Sequence, residues 1–198
     1  MNTIQTRSIA ILVALAALMA ATRFNHFGSA VSLPDASLAV FFLGGMYLSR
    51  IARVSFAAFV VLILEAGLID SYVTSVMGVS NWCMTPAYWF LIPTYGSLWF
   101  AGSWFARHTR QRGREQQLLL VPVAWAANSF AFVFSNTAFY LLSGHFAEMS
   151  AAVYAGSVAQ YYVSYVSVAL LYIACAVAIN MLFGMLHKQS MHATTDAV

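Results

Sequence analysis

The sequence predicts an all-α integral membrane protein with six transmembrane helices. Of its 198 residues, 62% are hydrophobic and only 8% are charged. An ordinary soluble domain carries about 25% charged residues. The composition therefore excludes a soluble globular protein, a disordered tail and a nucleic-acid-binding domain. The apolar residues form long unbroken runs, whereas strands of a membrane barrel alternate apolar and polar residues.

Six apolar runs divide the chain, and no separate soluble domain is expected between them. A single helix over residues 36–69 would be about 51 Å long, which exceeds a bilayer core of about 30 Å. Because Arg50 and Arg53 interrupt this stretch, two short antiparallel spans fit it better. Pro93 predicts a kink in the fourth span, and Gly156 marks the expected beginning of the sixth. Residues 1–198 thus form one domain with approximate spans 8–21, 36–49, 54–69, 87–106, 118–142 and 157–186.

The basic residues predict the orientation, because Lys and Arg are enriched in cytoplasmic loops. With six spans, only Arg23 falls on one side of the membrane. The eight on the other side are Arg7, Arg50, Arg53, Arg107, Arg110, Arg112, Arg114 and Lys188. Both termini are therefore expected in the cytoplasm, and residues 22–35, 70–86 and 143–153 form the outer loops.

The first apolar run has two further interpretations. Arg7, the short run and the small residues after Met19 are also typical of a secretory signal peptide, whose removal would leave five spans. The run also carries small residues at four-residue spacing, which allow another helix to approach closely. That pattern indicates either docking of a partner subunit or packing inside the bundle, and the pattern alone favours packing. The residues concerned are Ala10, Ala14, Ala17 and Ala21.

Cys83 is the most unusual residue of the outer loops. Helical rise places it on the order of 20 Å or more from Cys175, whereas the Cα atoms of a disulfide lie within about 7 Å. Cys83 is therefore predicted to be an unpaired thiol on an oxidising face, where a thiol is a liability unless it is used or shielded. It is either a small buried hydrophobe or a soft ligand or nucleophile. Cys175, within an apolar helix, is expected to be inert.

Two acidic residues lie near the outer end of the third span. Asp70 ends the span, and Glu65 lies about one turn deeper. A carboxyl group at such a depth is costly and usually faces the bundle interior. Glu65 is therefore expected to pair with Arg23 or to bond to a tyrosine.

Residues 81–88, with the sequence NWCMTPAY, carry a resemblance to a known family. Together with six predicted spans, residues 22–28 and Asp70, this segment resembles the BtuM family of bacterial cobalamin transporters. That family is similar to the substrate-binding S-components of ECF-type vitamin transporters. The resemblance implies an S-component-like bundle in the bacterial inner membrane. It would dock an energising module of transmembrane subunit and ATPases through the alanines of span 1, or act alone.

The resemblance also implies a function, the uptake of cobalamin (vitamin B12). Cys83 would be the axial ligand of the cobalt, and Asp70 and Tyr88 would belong to the substrate site. A thiolate is a soft ligand that suits a late transition metal. Cobalamin is then the bound substrate, no separate cofactor is predicted, and no nucleic acid is involved. Further walls of the site are assigned only by proximity in sequence: His26, Phe27, Tyr72, Asn81, Trp82, Met84 and Thr85.

An activity and several other functions stay open beside transport. Donation from the Cys83 thiolate could expel the upper cyanide of cyanocobalamin, with reduction of the cobalt, so that Cys83 would also be catalytic. Alternatively, the chain is an S-component for a different vitamin, or a thiol-dependent membrane redox enzyme. The redox enzyme is weakened by the absence of a C-x-x-C pair. A haem protein is disfavoured because His26 and His145 lie in loops.

Overall fold

The computed structural model describes residues 3–23, 33–78, 80–109 and 118–195, and the side chains within residues 5–23, 33–78, 80–109 and 118–185. All regular elements in these ranges are helical, which confirms the all-α class. The α-helices are α1 (Thr3–Arg23), α2 (Ser37–Leu48), α3 (Ala52–Ser75), α4 (Leu91–Thr109), α5 (Leu120–Leu142) and α6 (Ala151–Thr195). A 3-10 helix, Pro86–Phe90, precedes α4.

Three of these helices are long and apolar enough to cross a membrane. They are α1 over Gln5–Arg23, α3 over Ala52–Ser75 and α6 over Ala151–Met185. The α2 helix is apolar but has only 12 residues. Ten of its residues are buried, so α2 is the centre of the bundle and packs against α1, α3, α4 and α6.

Glycines set the close approach of α2 to α4. A Cβ atom on Gly45 would collide with the carbonyl group of Trp99, and one on Gly102 would collide with the carbonyl of Phe42. Neither obstacle is a side chain that could rotate away. The two backbones therefore touch, and the indole of Trp99 reaches across to donate a 3.0 Å hydrogen bond to Ser55 on α3.

Several sequence-based boundaries differ from the structure. The α1 helix begins at Thr3 and not at residue 8, and α3 runs to Ser75, so Asp70 lies inside the helix and not at its end. Pro93 lies in the first turn of α4, where its missing N–H costs no helical hydrogen bond, so the break falls before it at the 3-10 helix. Gly156 lies inside α6, which begins at Ala151. Exposed glycine within a helix is tolerated when the flanking residues form helix readily.

The small-residue face of α1 points away from the bundle. Ala10, Ala14, Ala17 and Ala21 are all exposed, whereas Leu15 and Met19 on the opposite face are buried. The structure thus does not support packing of these four alanines inside the bundle. Docking of a partner on this face stays a prediction.

Candidate functional site

A cavity of about 450 Å³ lies where α1 and α3 end and where α2 and α4 begin. Its wall contains Cys83, Asp70 and Tyr88, the three residues that the family resemblance places in the substrate site. Each comes from a different element: the loop before the 3-10 helix, the buried side of α3, and the 3-10 helix itself. The structure therefore brings these three predicted residues together around one cavity.

A buried ion pair forms the floor of this cavity. Nε of Arg23 donates to Oδ1 of Asp70 at 2.8 Å, and Nη2 donates to Oδ2 at 2.6 Å. Both side chains are only 2% exposed. The bidentate geometry matches the fork of a guanidinium to the two oxygens of a carboxylate. Sequence analysis expected Glu65 to pair with Arg23 or to bond to a tyrosine, but Arg23 binds Asp70 and also lies 3.9 Å from a carboxylate oxygen of Asp35.

The remaining nitrogen of Arg23 connects two further helices. Nη1 donates to Oγ of Ser37 at 2.7 Å and to the hydroxyl of Tyr95 at 2.9 Å. Ser37 in turn donates to Oδ1 of Asp35 at 2.6 Å. The guanidinium therefore joins the end of α1 to the beginning of α2, to α3 and to α4.

Cys83 is half-buried and is a free cysteine. Burial raises the pKa of its thiol, and the nearby negative charge of Asp70 raises it further. Cys175 is also free and is exposed on α6, so the expectation of two unpaired thiols is confirmed. At neutral pH the Cys83 thiol is protonated, and a metal that binds its sulfur must release that proton.

The part of the cavity wall formed by α5 and α6 carries polar side chains beside the apolar Phe139 and Val168. On α6, Tyr161, Ser164 and Tyr165 follow helical spacing and face the cavity together. On α5, Ser135 and Asn136 line it, and the hydroxyl of Tyr154 donates to the backbone oxygen of Asn136 at 3.1 Å. Sequence analysis missed this wall. The three-to-four residue spacing of polar groups in an otherwise apolar segment was the available signal.

The residues assigned by proximity in sequence are placed elsewhere. Tyr72 and Asn81 are exposed and do not line the cavity. The ring of Trp82 stacks on His145 instead of facing the cavity. Thr85 and Met84 line a second cavity, of about 460 Å³, between α3 and the 3-10 helix. His26 and Phe27 lie outside the described residues.

The second cavity shares a wall with the first. Tyr88, Leu91 and Tyr95 line both cavities, so these three side chains separate them. The second cavity is otherwise lined mainly by apolar residues of α3 and α4. The thiol and the ion pair belong to the first cavity only.

No protein-family model matches the chain, and no curated protein matches it. Function is therefore inferred from the groups around the first cavity. They offer one soft sulfur donor, a buried carboxylate–guanidinium pair, several phenols and an amide. Such a set can hold one metal-bearing organic ligand by a single metal bond and several hydrogen bonds.

Proposed function

We propose that this chain binds cobalamin in the first cavity and carries it across the bacterial inner membrane. The main support for this proposal is the position of Cys83 in the cavity wall, which also contains Asp70 and Tyr88. The corrin ring supplies the equatorial ligands of its cobalt, so the protein need provide only one axial donor. A thiolate is a strong donor for such a metal. In this proposal Cys83 is that axial ligand.

The remaining walls suit the outline of a corrin. Cobalamin is large and flat, with amide groups around its edge. The whole molecule is larger than the cavity of about 450 Å³. Because the cavity is an open cleft, one edge of the ring can enter while the rest stays outside. Ser135, Asn136 and Ser164 offer donors and acceptors to the amides, and Tyr161 and Phe139 offer aromatic surface.

The proposed topology is a six-span bundle with both termini in the cytoplasm. The cavity lies at one end of the helices, where Arg23, Asp70 and Tyr95 line it. Arg50, Arg53 and Arg107 lie towards the other ends of α2, α3 and α4. Basic residues are enriched on the cytoplasmic side, so this separation supports a cavity that faces outward. The short α2 fits the topology because neighbouring helices surround it.

Ligand exchange at the cobalt is part of the same proposal. With cyanocobalamin, the Cys83 sulfur forms a bond to cobalt as the bond from cobalt to cyanide breaks. The thiol proton leaves with the cyanide as hydrogen cyanide, and the cobalt keeps its oxidation state. This differs from the sequence-based expectation, because reduction of the cobalt would need a separate electron donor. This step needs no external reductant, because the electron pair of the departing cyanide is replaced by that of the sulfur.

Absorption spectroscopy of the purified protein tests the proposal. The detergent-solubilised chain is incubated with cyanocobalamin or aquacobalamin, passed over a gel-filtration column and scanned in the visible range. We expect a co-eluting corrinoid with a shifted spectrum. Cys83→Ala should lose the shift, and Cys175→Ala, which removes the other free thiol, should retain it.

Failure of the wild type to retain any corrinoid would overturn the proposal. An S-component for another vitamin, or a thiol-dependent redox enzyme, would then be the leading candidate. Retention of a corrinoid with an unshifted spectrum in the wild type would keep cobalamin as ligand but remove Cys83 from the cobalt. Uptake itself is tested by growth of a cobalamin auxotroph that expresses the chain.

A further inference from the structure

The buried guanidinium of Arg23 has a role beyond the pairing of charges. We propose that Arg23 is a positioning residue that holds the Cys83 loop, residues 76–78 and 80–85, in place against the cavity through Asp70 and Tyr88. This inference rests on the proposed function, since the group being positioned is the proposed cobalt ligand. It assigns a task to the single basic residue that the distribution of charges leaves on the outer side.

The first step is the fixed orientation of the Asp70 carboxylate. Arg23 occupies both of its oxygens through two different nitrogens, at 2.8 and 2.6 Å. Rotation of the carboxylate would break at least one of these bonds. A single positive charge nearby would neutralise Asp70 but would not fix the plane of its carboxylate, because only a fork of donors does that.

The second step is that Arg23 is itself held independently of Asp70. Its Nη1 bonds to Ser37 on α2 and to Tyr95 on α4. The ring of Tyr95 stacks on Phe41 at a centroid distance of 4.1 Å, inside the core around α2. The guanidinium is therefore anchored to the most buried part of the bundle and serves as a fixed reference for α3.

The third step runs from Asp70 to the cysteine. The hydroxyl of Tyr88 donates to Oδ2 of Asp70 at 2.7 Å. The backbone N–H of Tyr88 donates to the carbonyl of Thr85 at 2.9 Å, and that of Thr85 donates to the carbonyl of Cys83 at 3.0 Å. These hydrogen bonds, together with the residues that they join, link Arg23 to the backbone of Cys83. Loss of the fork would free Asp70, then Tyr88, and then the loop.

A lysine separates positioning from charge pairing. Arg23→Lys keeps the positive charge but cannot make the two-pronged contact. Arg23→Met combined with Asp70→Asn removes both members of the buried pair. Asp35, whose carboxylate lies 3.9 Å from Nη1 of Arg23 and is 19% exposed, keeps its partial contact with solvent in this variant. Ser103→Ala is the matched control: it removes a buried hydrogen bond of 3.1 Å from α4 to Gly45, more than two turns beyond Tyr95 along α4.

The experiment uses the full chain with Cys175→Ser, so that Cys83 is the sole thiol, and reads three quantities. These are the melting temperature in detergent, the rate of Cys83 labelling by N-ethylmaleimide without corrinoid, and the affinity and spectrum with aquacobalamin. For Arg23→Lys we expect labelling at least threefold faster, affinity at least tenfold lower and a diminished thiol–cobalt spectrum. Tyr88→Phe should accelerate labelling in the same direction, and Ser103→Ala should leave labelling and spectrum unchanged.

Three outcomes would decide against positioning. One is wild-type labelling and spectrum in Arg23→Lys. Another is full recovery of labelling rate, spectrum and affinity in the doubly neutral variant, which would reduce Arg23 to a counter-charge. The third is equal effects of Arg23→Lys and Ser103→Ala on all three quantities. If the wild type binds no corrinoid, the proposed function fails, while the labelling rates still test Arg23.

Discussion

The indole of Trp82 and the imidazole of His145 stack with ring centroids 3.7 Å apart and planes inclined by 8°. Nε2 of His145 also lies 3.1 Å from the carbonyl oxygen of Trp82. The contact joins the Cys83 loop to the connection between α5 and α6, 63 residues later. Trp82 precedes Cys83 directly and Tyr88 follows it, so this stack fastens the cysteine loop at a second point.

Loss of the imidazole should therefore loosen the loop and weaken the proposed binding of cobalamin. An aromatic pair is worth about 0.5–1.5 kcal/mol, so His145→Ala should lower cobalamin affinity roughly 2- to 10-fold. The measurement is a spectroscopic titration with aquacobalamin. His108→Ala is the control, because His108 also lies against a tryptophan, Trp104, at 4.3 Å but near the far end of α4. Equal affinities of the two variants would contradict a fastening role.

Tyr88→Phe removes one hydrogen bond and little else. Its partner Asp70 is charged and only 2% exposed, and bonds to charged groups are worth about 1.5–3 kcal/mol. We expect the loss in the free energy of unfolding to lie near the lower end of that range, because Arg23 still donates to both carboxylate oxygens of Asp70. Thermal unfolding in detergent measures the change.

Tyr140→Phe provides the comparison for Tyr88→Phe. The Tyr140 hydroxyl donates to the neutral carbonyl of Met149 at 2.7 Å, in an exposed part of the chain. Its loss should cost less, about 0.5–1.5 kcal/mol or below. A smaller effect at Tyr88 than at Tyr140 would show that the bond to Asp70 does not contribute to stability.

The helices could be predicted from the sequence because apolar runs and helices coincide where side chains leave water. The fifth run, residues 118–142, differs from α5 by only two residues at its beginning. The first, third, fourth and sixth runs were less accurate, since each misses at least one helix end by three residues or more. Backbone hydrogen bonding decides where α6 begins and where the 3-10 helix ends and α4 begins. The hydropathy of the side chains carries no information about these backbone bonds. Whether six helices cross the membrane stays a prediction.

The site could be predicted only in part. Cys83, Asp70 and Tyr88 stood out because a resemblance marked them, and the structure places them around one cavity. The bonds from Arg23 to Asp70 and Tyr95 join residues 47 and 72 positions apart, and no local pattern reveals such distant pairs. The one signal for Arg23 was its exceptional position among the basic residues.

Alanine at either interfacial glycine should destabilise the bundle. In Gly45→Ala and Gly102→Ala the new Cβ meets the backbone of the facing helix, so α2 and α4 must separate. Overpacking typically costs 1–3 kcal/mol, and we expect about 3 kcal/mol because a backbone cannot rotate aside. Gly67→Ala is the control, since nothing lies near its Cβ position. That variant should melt at or above the wild-type temperature, because alanine forms helix better than glycine. Similar melting temperatures for Gly45→Ala and Gly67→Ala would refute the close contact.

With Cys83 as the proposed cobalt ligand, the raised pKa of its thiol predicts how cobalamin affinity depends on pH. Burial first, and Asp70 second, hold the thiol in its protonated form through neutral pH. A cobalt–sulfur bond requires the thiolate, so binding releases one proton. The affinity for aquacobalamin should therefore fall as the pH is lowered, by up to about tenfold per unit between about pH 7 and 5.5. Spectroscopic titrations at several pH values measure this slope. Cys83→Ala removes the thiol and no other ionisable group, so it shows the slope that remains without the thiol. A wild-type slope no steeper than that of Cys83→Ala would mean that the bound cobalamin takes no proton from Cys83, and hence that sulfur is not its axial ligand.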